Sequence, residues 1–156
     1  MGDNYGKEFE KRFQKDFLES IPNSTIDRIY DVVGIYRGVT NVCDFIGYTY
    51  PNIFYCECKT HKGASIPFEN ITQYNKLKEK VGIPGVRTGV ILWLYEKDIV
   101  MYIPISTITK MKKDGKKSVG LKAINDGYNI KILPSEKLRV FLKTDYSSLM
   151  QLKDGE

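Results

Sequence analysis

One short stretch of this sequence decides its fold: Ile53-Phe54-Tyr55-Cys56-Glu57-Cys58-Lys59. Side chains on a β-strand alternate between the two faces of the sheet. The Phe and Cys residues at even positions therefore predict an apolar, packed face. Glu57 and Lys59 share the opposite face, where they place a carboxylate beside an ammonium group. We therefore interpret this stretch as a half-buried strand that carries chemistry on one side.

A second carboxylate is expected close to this pair. Asp44 lies thirteen residues before Glu57, and a short turn at residues 49–52 separates two strand-like segments, 42–48 and 53–60. Hairpin pairing of these segments would bring the two carboxylates together. Two carboxylates near a lysine suit Mg²⁺, which prefers oxygen ligands, and a nearby cation can orient a nucleophilic water or steady a phosphate.

Other interpretations of these residues stay open at this point. A Glu-x-Lys pair on a strand is often exposed and solvated. Cys56 and Cys58 could form half of a zinc site, but only Cys43 and His61 are available to complete it, so small buried hydrophobes fit better. His61, the one histidine of the chain, could contact phosphate, act as a base or lie on an exposed loop.

The composition is that of one globular domain, spanning residues 1–156, with 42% hydrophobic, 12% aromatic and 28% charged residues. These values exclude a disordered or collagen-like chain. The net charge is +5 and the pI about 9.0, which is compatible with a polyanionic partner. No run approaches the roughly 18–20 apolar residues needed to cross a bilayer, and three clustered cysteines are typical of reduced thiols, so we expect a cytoplasmic protein without a membrane partner.

Hydrophobic periodicity predicts helices alternating with strands. A helix over residues 4–20 follows from Phe9, Phe13 and Phe17, which recur every four residues. The near-continuous apolar run at 88–95 predicts a strand buried on both faces. The other expected elements are strands at 26–35, 99–103, 119–124 and 128–133, and helices at 70–81, 105–112 and 145–152. The order predicts an α/β domain with a central mixed sheet flanked by helices.

Asp44 followed by residues 57–59 resembles the PD-(D/E)xK nuclease signature and, more narrowly, the RecU-type Holliday-junction resolvases. Residues 6–10 resemble the Gly-x-x-x-Glu opening of that family's first helix. Residues 65–73 resemble its Ser-Phe-Pro to Gln segment. The likeness extends over most of residues 4–135. It implies a restriction-endonuclease-like core and an endonuclease that resolves four-way DNA junctions in recombination and repair.

The resemblance also implies a ligand set. Asp44 and Glu57 would bind Mg²⁺, or Mn²⁺ in its place, with the backbone carbonyl of Cys58 as a further ligand. Lys59 would position the attacking water and stabilise the charge that develops on the phosphorus centre.

Two more residues are implied at the site from neighbouring helices. Glu10 would reach the metal directly or through water, and the alternative is a first-turn acid that favours the helix N-terminus. Gln73 would hold a water or the scissile phosphate, and the alternative is an exposed helical amide.

The expected partner is DNA, bound by phosphate contacts, and the cutting of two opposed strands suggests a C2 homodimer. The candidate DNA-binding residues are His61, Lys62, Arg87, Lys112, Lys113, Lys116 and Lys117. The alternatives are a PD-(D/E)xK nuclease acting on other branched or duplex DNA, a non-cleaving binding module, and a basic α/β domain whose motif is a coincidence.

The chain departs from the RecU pattern in places. Cys43 stands where the family usually has Ser or Thr, so a hydroxyl's hydrogen bond would be lost. RecU proteins carry a long stalk between the first helix and the first catalytic strand, whereas only residues 22–43 are available here. The loop after Lys59 is also one residue shorter. These differences suit a compact relative, such as one borne by a phage and acting in the bacterial cytoplasm, and they put junction specificity in question.

Overall fold

The computed structural model describes residues 2–30 and 41–156. Its first helix, α1, spans Gly2–Ser20. Phe9, Phe13 and Phe17 are all buried on one side of this helix, which confirms the periodicity that predicted it. The part of the predicted strand 26–35 beyond residue 30 lies outside the described residues, as do residues 31–40 of the 22–43 segment considered for a stalk.

Ten strands and three further α-helices follow within the described residues. The strands are β1 (Ser24–Arg28), β2 (Phe45–Thr49), β3 (Asn52–His61), β4 (Ser65–Pro67), β5 (Val86–Leu94), β6 (Ile99–Pro104), β7 (Ser118–Gly120), β8 (Lys131–Leu133), β9 (Ser135–Lys137) and β10 (Leu142–Thr144). The helices are α2 (Tyr74–Lys78), α3 (Ile105–Lys113) and α4 (Leu121–Asn125). Two 3₁₀ segments are Phe68–Asn70 and Ser147–Gln151.

Six strands form a central sheet in the order β1-β2-β3-β5-β6-β8. Within this sheet β3 and β5 pair in parallel and the other neighbours pair antiparallel. The parallel pair requires a crossover, which carries β4, a 3₁₀ segment and α2. The sheet is therefore mixed, as predicted. None of the helices in the described segments is long and apolar enough to cross a membrane.

The sheet separates two apolar cores. One core packs α1 against the sheet and includes Phe13, Cys56 and Trp93, while the other packs α2, α3 and α4 against the opposite face and includes Leu77 and Ile108. Every residue of β5 after the first is buried, as its continuous apolar run predicted.

The predicted helix over residues 70–81 is shorter than expected. The chain forms a 3₁₀ turn at Phe68–Asn70 and α2 covers only Tyr74–Lys78. The buried side chains Phe68, Ile71, Tyr74 and Leu77 are spaced by three residues. The backbone follows this spacing before α2, where the Ile71 N–H donates to Phe68 O and the Tyr74 N–H donates to Ile71 O, each three residues back as in a 3₁₀ helix.

The predicted strands at 119–124 and 128–133 are confirmed only in part, because β7 covers residues 118–120, β8 covers residues 131–133, and the two do not pair with each other. Residues Leu121–Asn125 form α4, and Gly127, at φ +88°, ends it while Tyr128 N–H donates to Ala123 O. An Asn-Asp-Gly sequence serves a helix C-terminus as readily as a hairpin, because both need a residue with positive φ. β7 pairs with β4 instead.

Candidate active site

The β2–β3 hairpin brings Asp44 beside Glu57. Phe45 lies opposite Cys56 in the register, which puts the preceding residue, Asp44, level with Glu57. The Cys58 N–H donates to Asp44 Oδ2 at 2.9 Å, and the Asp44 N–H donates to Cys56 O at 3.1 Å. The hairpin predicted from the sequence is therefore confirmed, and it fixes the Asp44 carboxylate against the Glu57–Lys59 segment.

Glu57 is a buried carboxylate whose acceptor capacity is not filled. Its side chain is 1% exposed, and Lys59 Nζ lies 3.3 Å from its Oε1. Neither carboxylate oxygen makes a hydrogen bond of good geometry within the described part of the chain. Burial raises the pKa of Glu57 to about 6; Lys59 opposes this shift and the charge of Asp44 adds to it. A group that keeps such a charge buried is well suited to binding a cation.

Gln73, the residue that precedes α2, contacts Glu57 through its backbone. Its backbone N–H acts on the Glu57 carboxylate and lowers the pKa of that group, though less than burial raises it. Its side-chain Oε1 is buried and accepts no hydrogen bond from the described residues. Glu57 and Gln73, on two different elements, thus each carry a buried side-chain oxygen that accepts no hydrogen bond from the described residues.

Glu10 approaches the site from α1. Its carboxylate forms an ion pair with Arg28 of β1, a partner that no sequence pattern indicated. Burial raises the pKa of Glu10, Arg28 opposes this, and the charges of Asp44 and Lys59 also act on it. The structure thus places Glu10 within electrostatic reach of the predicted metal ligands.

These residues fit a hydrated Mg²⁺ better than a closed metal cage. The described residues contain no group of three or more His, Cys, Asp or Glu side chains that could hold a metal unaided. Mg²⁺ commonly takes one or two carboxylates and keeps several waters. Two carboxylates are available here, those of Asp44 and Glu57, together with the predicted Cys58 carbonyl. The ligand set stays a prediction, and the geometry is compatible with it.

The cysteines are packing residues. Cys56 and Cys58 are buried in the core beneath α1, and burial raises the pKa of both thiols. Burial also raises the pKa of Cys43 to about 12. Cys43 Sγ donates to Phe45 O at 3.1 Å, so the thiol makes a hydrogen bond of its own just before Asp44.

A cluster of exposed lysines lies at the end of α3 and in the loop after it. This α3 lysine patch consists of Lys112, Lys113, Lys116 and Lys117, and no described carboxylate lies within ion-pair distance of its members. Lys112 Nζ lies 3.8 Å from the ring centroid of Tyr74, the residue after Gln73. A cavity of about 430 Å³ separates the patch from Phe68 and Glu69. The patch is thereby connected to the site through α2.

The other predicted DNA contacts, His61, Lys62 and Arg87, differ in how accessible their side chains are. His61 Nδ1 lies 2.7 Å from the Lys62 carbonyl oxygen, and Lys62 Nζ pairs with Glu96 at 3.7 Å on the surface. Arg87 requires a correction: its side chain is only 7% exposed and donates to Asp154 at 2.7 Å. Because it is buried and paired, Arg87 is a structural ion-pair partner and is not available to a DNA phosphate.

A further cavity lies away from the candidate site. It measures about 510 Å³ and lies between the end of α1 and the β9–β10 hairpin, where its lining includes Asp16, Glu19, Glu136 and Asp145. An acidic lining repels a polyanion. This cavity, which the sequence did not predict, is therefore not a candidate for nucleic acid binding.

Comparison with solved structures confirms the predicted nuclease fold. The chain is similar to Hjc of Archaeoglobus fulgidus, a Holliday junction resolvase from an archaeal hyperthermophile, with a TM-score of 0.57 and 14% sequence identity. The likeness covers 80% of this chain and 95% of that one. No protein-family profile matches the chain, and no curated protein sequence matches it.

Proposed function

We propose that this chain is a Mg²⁺-dependent endonuclease that cuts branched DNA, with four-way junctions as its preferred substrate. The observation that carries the proposal is the meeting of Asp44, Glu57 and Lys59, in which a buried carboxylate keeps unsatisfied oxygens beside an ammonium group. The fold shared with a junction resolvase supports the choice of substrate. The RecU-like order of motifs in the sequence belongs to the same proposal.

Each residue then has a chemical task. Asp44 and Glu57 hold the cation, with the Cys58 carbonyl as a further ligand. When bound, Mg²⁺ would polarise the phosphoryl group and favour ionisation of a water molecule. Lys59, 3.3 Å from Glu57, orients the attacking water and offsets the negative charge of the transition state. Gln73 offers its free Oε1 as an acceptor that fixes the water's direction.

DNA binding in this proposal depends on charge. The α3 lysine patch contacts backbone phosphates, together with Lys62 and His61. Each phosphate that a lysine neutralises releases condensed counterions, so affinity falls steeply with salt. Two active sites are needed to cut two opposed strands of a junction, and a C2 homodimer supplies them.

The test is cleavage of a synthetic four-way junction in Mg²⁺ by the wild-type protein and by Asp44→Asn and Glu57→Gln. We expect each variant to lose at least about 100-fold in rate. Glu136→Gln, which removes an exposed carboxylate on β9, is the matched control and should cleave normally. Flap and linear duplex substrates run in parallel measure the preference for junctions.

Three outcomes would contradict the proposal in different ways. Unchanged cleavage by both variants rejects the site. Tight DNA binding by the wild-type protein without metal-dependent products indicates a non-cleaving module. Equal rates on junction and linear duplex identify a nuclease with another substrate.

A further inference from the structure

A basic groove lies beside Glu10, between α1 and β1. Its cavity is about 360 Å³, and its lining includes Lys7, Glu10, Lys11, Gln14, Arg28 and Tyr30. We refer to it as the α1–β1 groove. None of its cationic residues has a role in the proposed cleavage mechanism.

The charges of the groove are unbalanced. Three cationic side chains face one carboxylate, that of Glu10, and Arg28 already pairs with it. Lys7 and Lys11 are exposed and have no ion-pair partner within residues 2–30 and 41–156. They stand four residues apart on α1, a spacing at which like charges repel. An anion in the groove would relieve that repulsion.

Arg28 has donors to spare. Its Nη1 contacts Glu10, yet its Nε is buried without a hydrogen-bond partner among the described residues. A guanidinium group presents five donors in a planar fork that matches a phosphate. Its Cζ lies 5.3 Å from the ring centroid of Tyr30, which is 74% exposed and offers a flat surface next to the cation. This combination of fork and aromatic ring suits a nucleotide.

The groove also touches the candidate metal site. Glu10 is the residue they share, since its carboxylate pairs with Arg28 and responds to the charges of Asp44 and Lys59. A phosphate that binds Arg28 competes with Glu10 for the same donors. When that competition succeeds, Glu10 is left with Asp44 as its strongest charged neighbour, and a divalent cation between them resolves the repulsion.

We propose that the α1–β1 groove binds a backbone phosphate of the DNA strand next to the cleaved bond, and that Arg28 exchanges Glu10 for this phosphate so that Glu10 can join the cation site. This inference rests on the proposed function. It makes Arg28, Lys7 and Lys11 the DNA-binding residues on the α1 side of the active site, away from the α3 lysine patch.

The first test measures binding of a fluorescent four-way junction in a chelator, so that no cleavage occurs, over a range of salt concentrations. Arg28→Gln and Lys11→Gln are each expected to lower the slope of log affinity against log salt by about 0.9, the loss of one phosphate contact. Lys153→Gln, an exposed lysine of the C-terminal segment, is the matched control and should keep the wild-type slope. Arg28→Lys, which keeps the charge but lacks the planar fork, should keep the wild-type salt slope and bind the junction more weakly than the wild-type protein.

The second test measures Mn²⁺ affinity by calorimetry without DNA. Arg28→Gln should bind Mn²⁺ about fivefold more tightly than the wild-type protein, because Glu10 is freed from its ion pair. Lys11→Gln removes the same charge from the groove without freeing Glu10 and should gain less. In a Glu10→Gln background the gain from Arg28→Gln should vanish.

The outcomes separate this inference from the function on which it rests. If the wild-type protein binds and cleaves junctions but the Arg28 and Lys11 variants keep the salt slope of Lys153→Gln, the groove is not a phosphate site and only this inference is overturned. If Arg28→Gln does not fold, Lys11→Gln decides the same point. A wild-type protein that binds no DNA overturns both proposals.

Discussion

Replacing Glu57 by Gln should stabilise the protein while abolishing its proposed activity. Glu57 carries its charge in a nearly inaccessible place, with 1% of the side chain exposed. Burial raises its pKa from 4.5 to about 6. The folded protein therefore binds this proton more readily than the unfolded chain, and the contribution to stability is fully present below pH 4.5 and lost as the pH rises through about 6.

The size of the effect follows from the pKa. A rise in the Glu57 pKa from 4.5 to about 6 means that the ionised side chain lowers the free energy of unfolding at pH 7–8 by about 2 kcal/mol, compared with the protonated side chain. Gln has nearly the same shape and no charge. We expect Glu57→Gln to unfold about 4–8 °C higher than the wild-type protein at pH 7.5 and at nearly the same temperature at pH 4.

The assay is thermal or urea unfolding of both proteins in a chelator from pH 4 to 8. Glu69→Gln, which changes an exposed glutamate, is the control and should stay within about 0.5 kcal/mol of wild type. Added Mg²⁺ at ten times its Kd should then stabilise the wild-type protein by about 1.4 kcal/mol and leave Glu57→Gln unchanged. A destabilised Glu57→Gln, or a difference that does not vary with pH, would show that the buried Glu57 charge does not destabilise the fold.

Three further predictions concern DNA binding and packing. Replacing the four lysines of the α3 lysine patch by Gln should weaken junction binding and lower the salt slope by up to about 3.6, as titrations at several salt concentrations would measure; an unchanged slope would remove the patch from the DNA surface. Asp154→Asn should lower the urea midpoint of unfolding, because it leaves Arg87 buried and without its carboxylate partner, and should keep the salt slope; a lower slope would return Arg87 to the DNA contacts. Gly89→Ala should cost about 1–3 kcal/mol, since a Cβ there would lie 2.3 Å from the Tyr102 ring, and a variant as stable as wild type would show that the ring can move.

Sequence patterns predicted the part of the fold that carries the site. The alternation of apolar and charged residues in β3 fixed which side chains share a face, and the short turn before it fixed the register with Asp44. The phenylalanine stripe placed α1, and the apolar run placed β5 in the middle of the sheet. These signals succeed because each repeats over several residues and agrees with burial.

The failures fall where local signals are ambiguous. Residues 125–127 form a turn whether a strand or a helix precedes them. Only the pairing of β7 with β4 decides that the preceding element is a helix. The short strands β9 and β10 carry little periodicity over three residues each. Their existence depends on contacts distant in the chain, such as the Thr144 N–H that donates to Asp16 at 3.0 Å.

The same limit applies to side-chain partners in the site. The sequence identified Arg87 as basic but could not show that Asp154, sixty-seven residues later, pairs with it. Nor could it show that Arg28 neutralises Glu10, because those residues lie on elements whose packing is not visible in a linear pattern. Residue types were enough to predict the chemistry of the site. The ion-pair partners that set its charge balance are visible only in the folded structure.

The most direct test of the proposed metal site is an anomalous diffraction map from crystals soaked in Mn²⁺. We expect a peak bound by both Asp44 and Glu57, with ligand oxygens at about 2.0–2.2 Å. A map at saturating Mn²⁺ without density between these carboxylates, or with the ion confined to the acidic cavity beside Asp16, would contradict it.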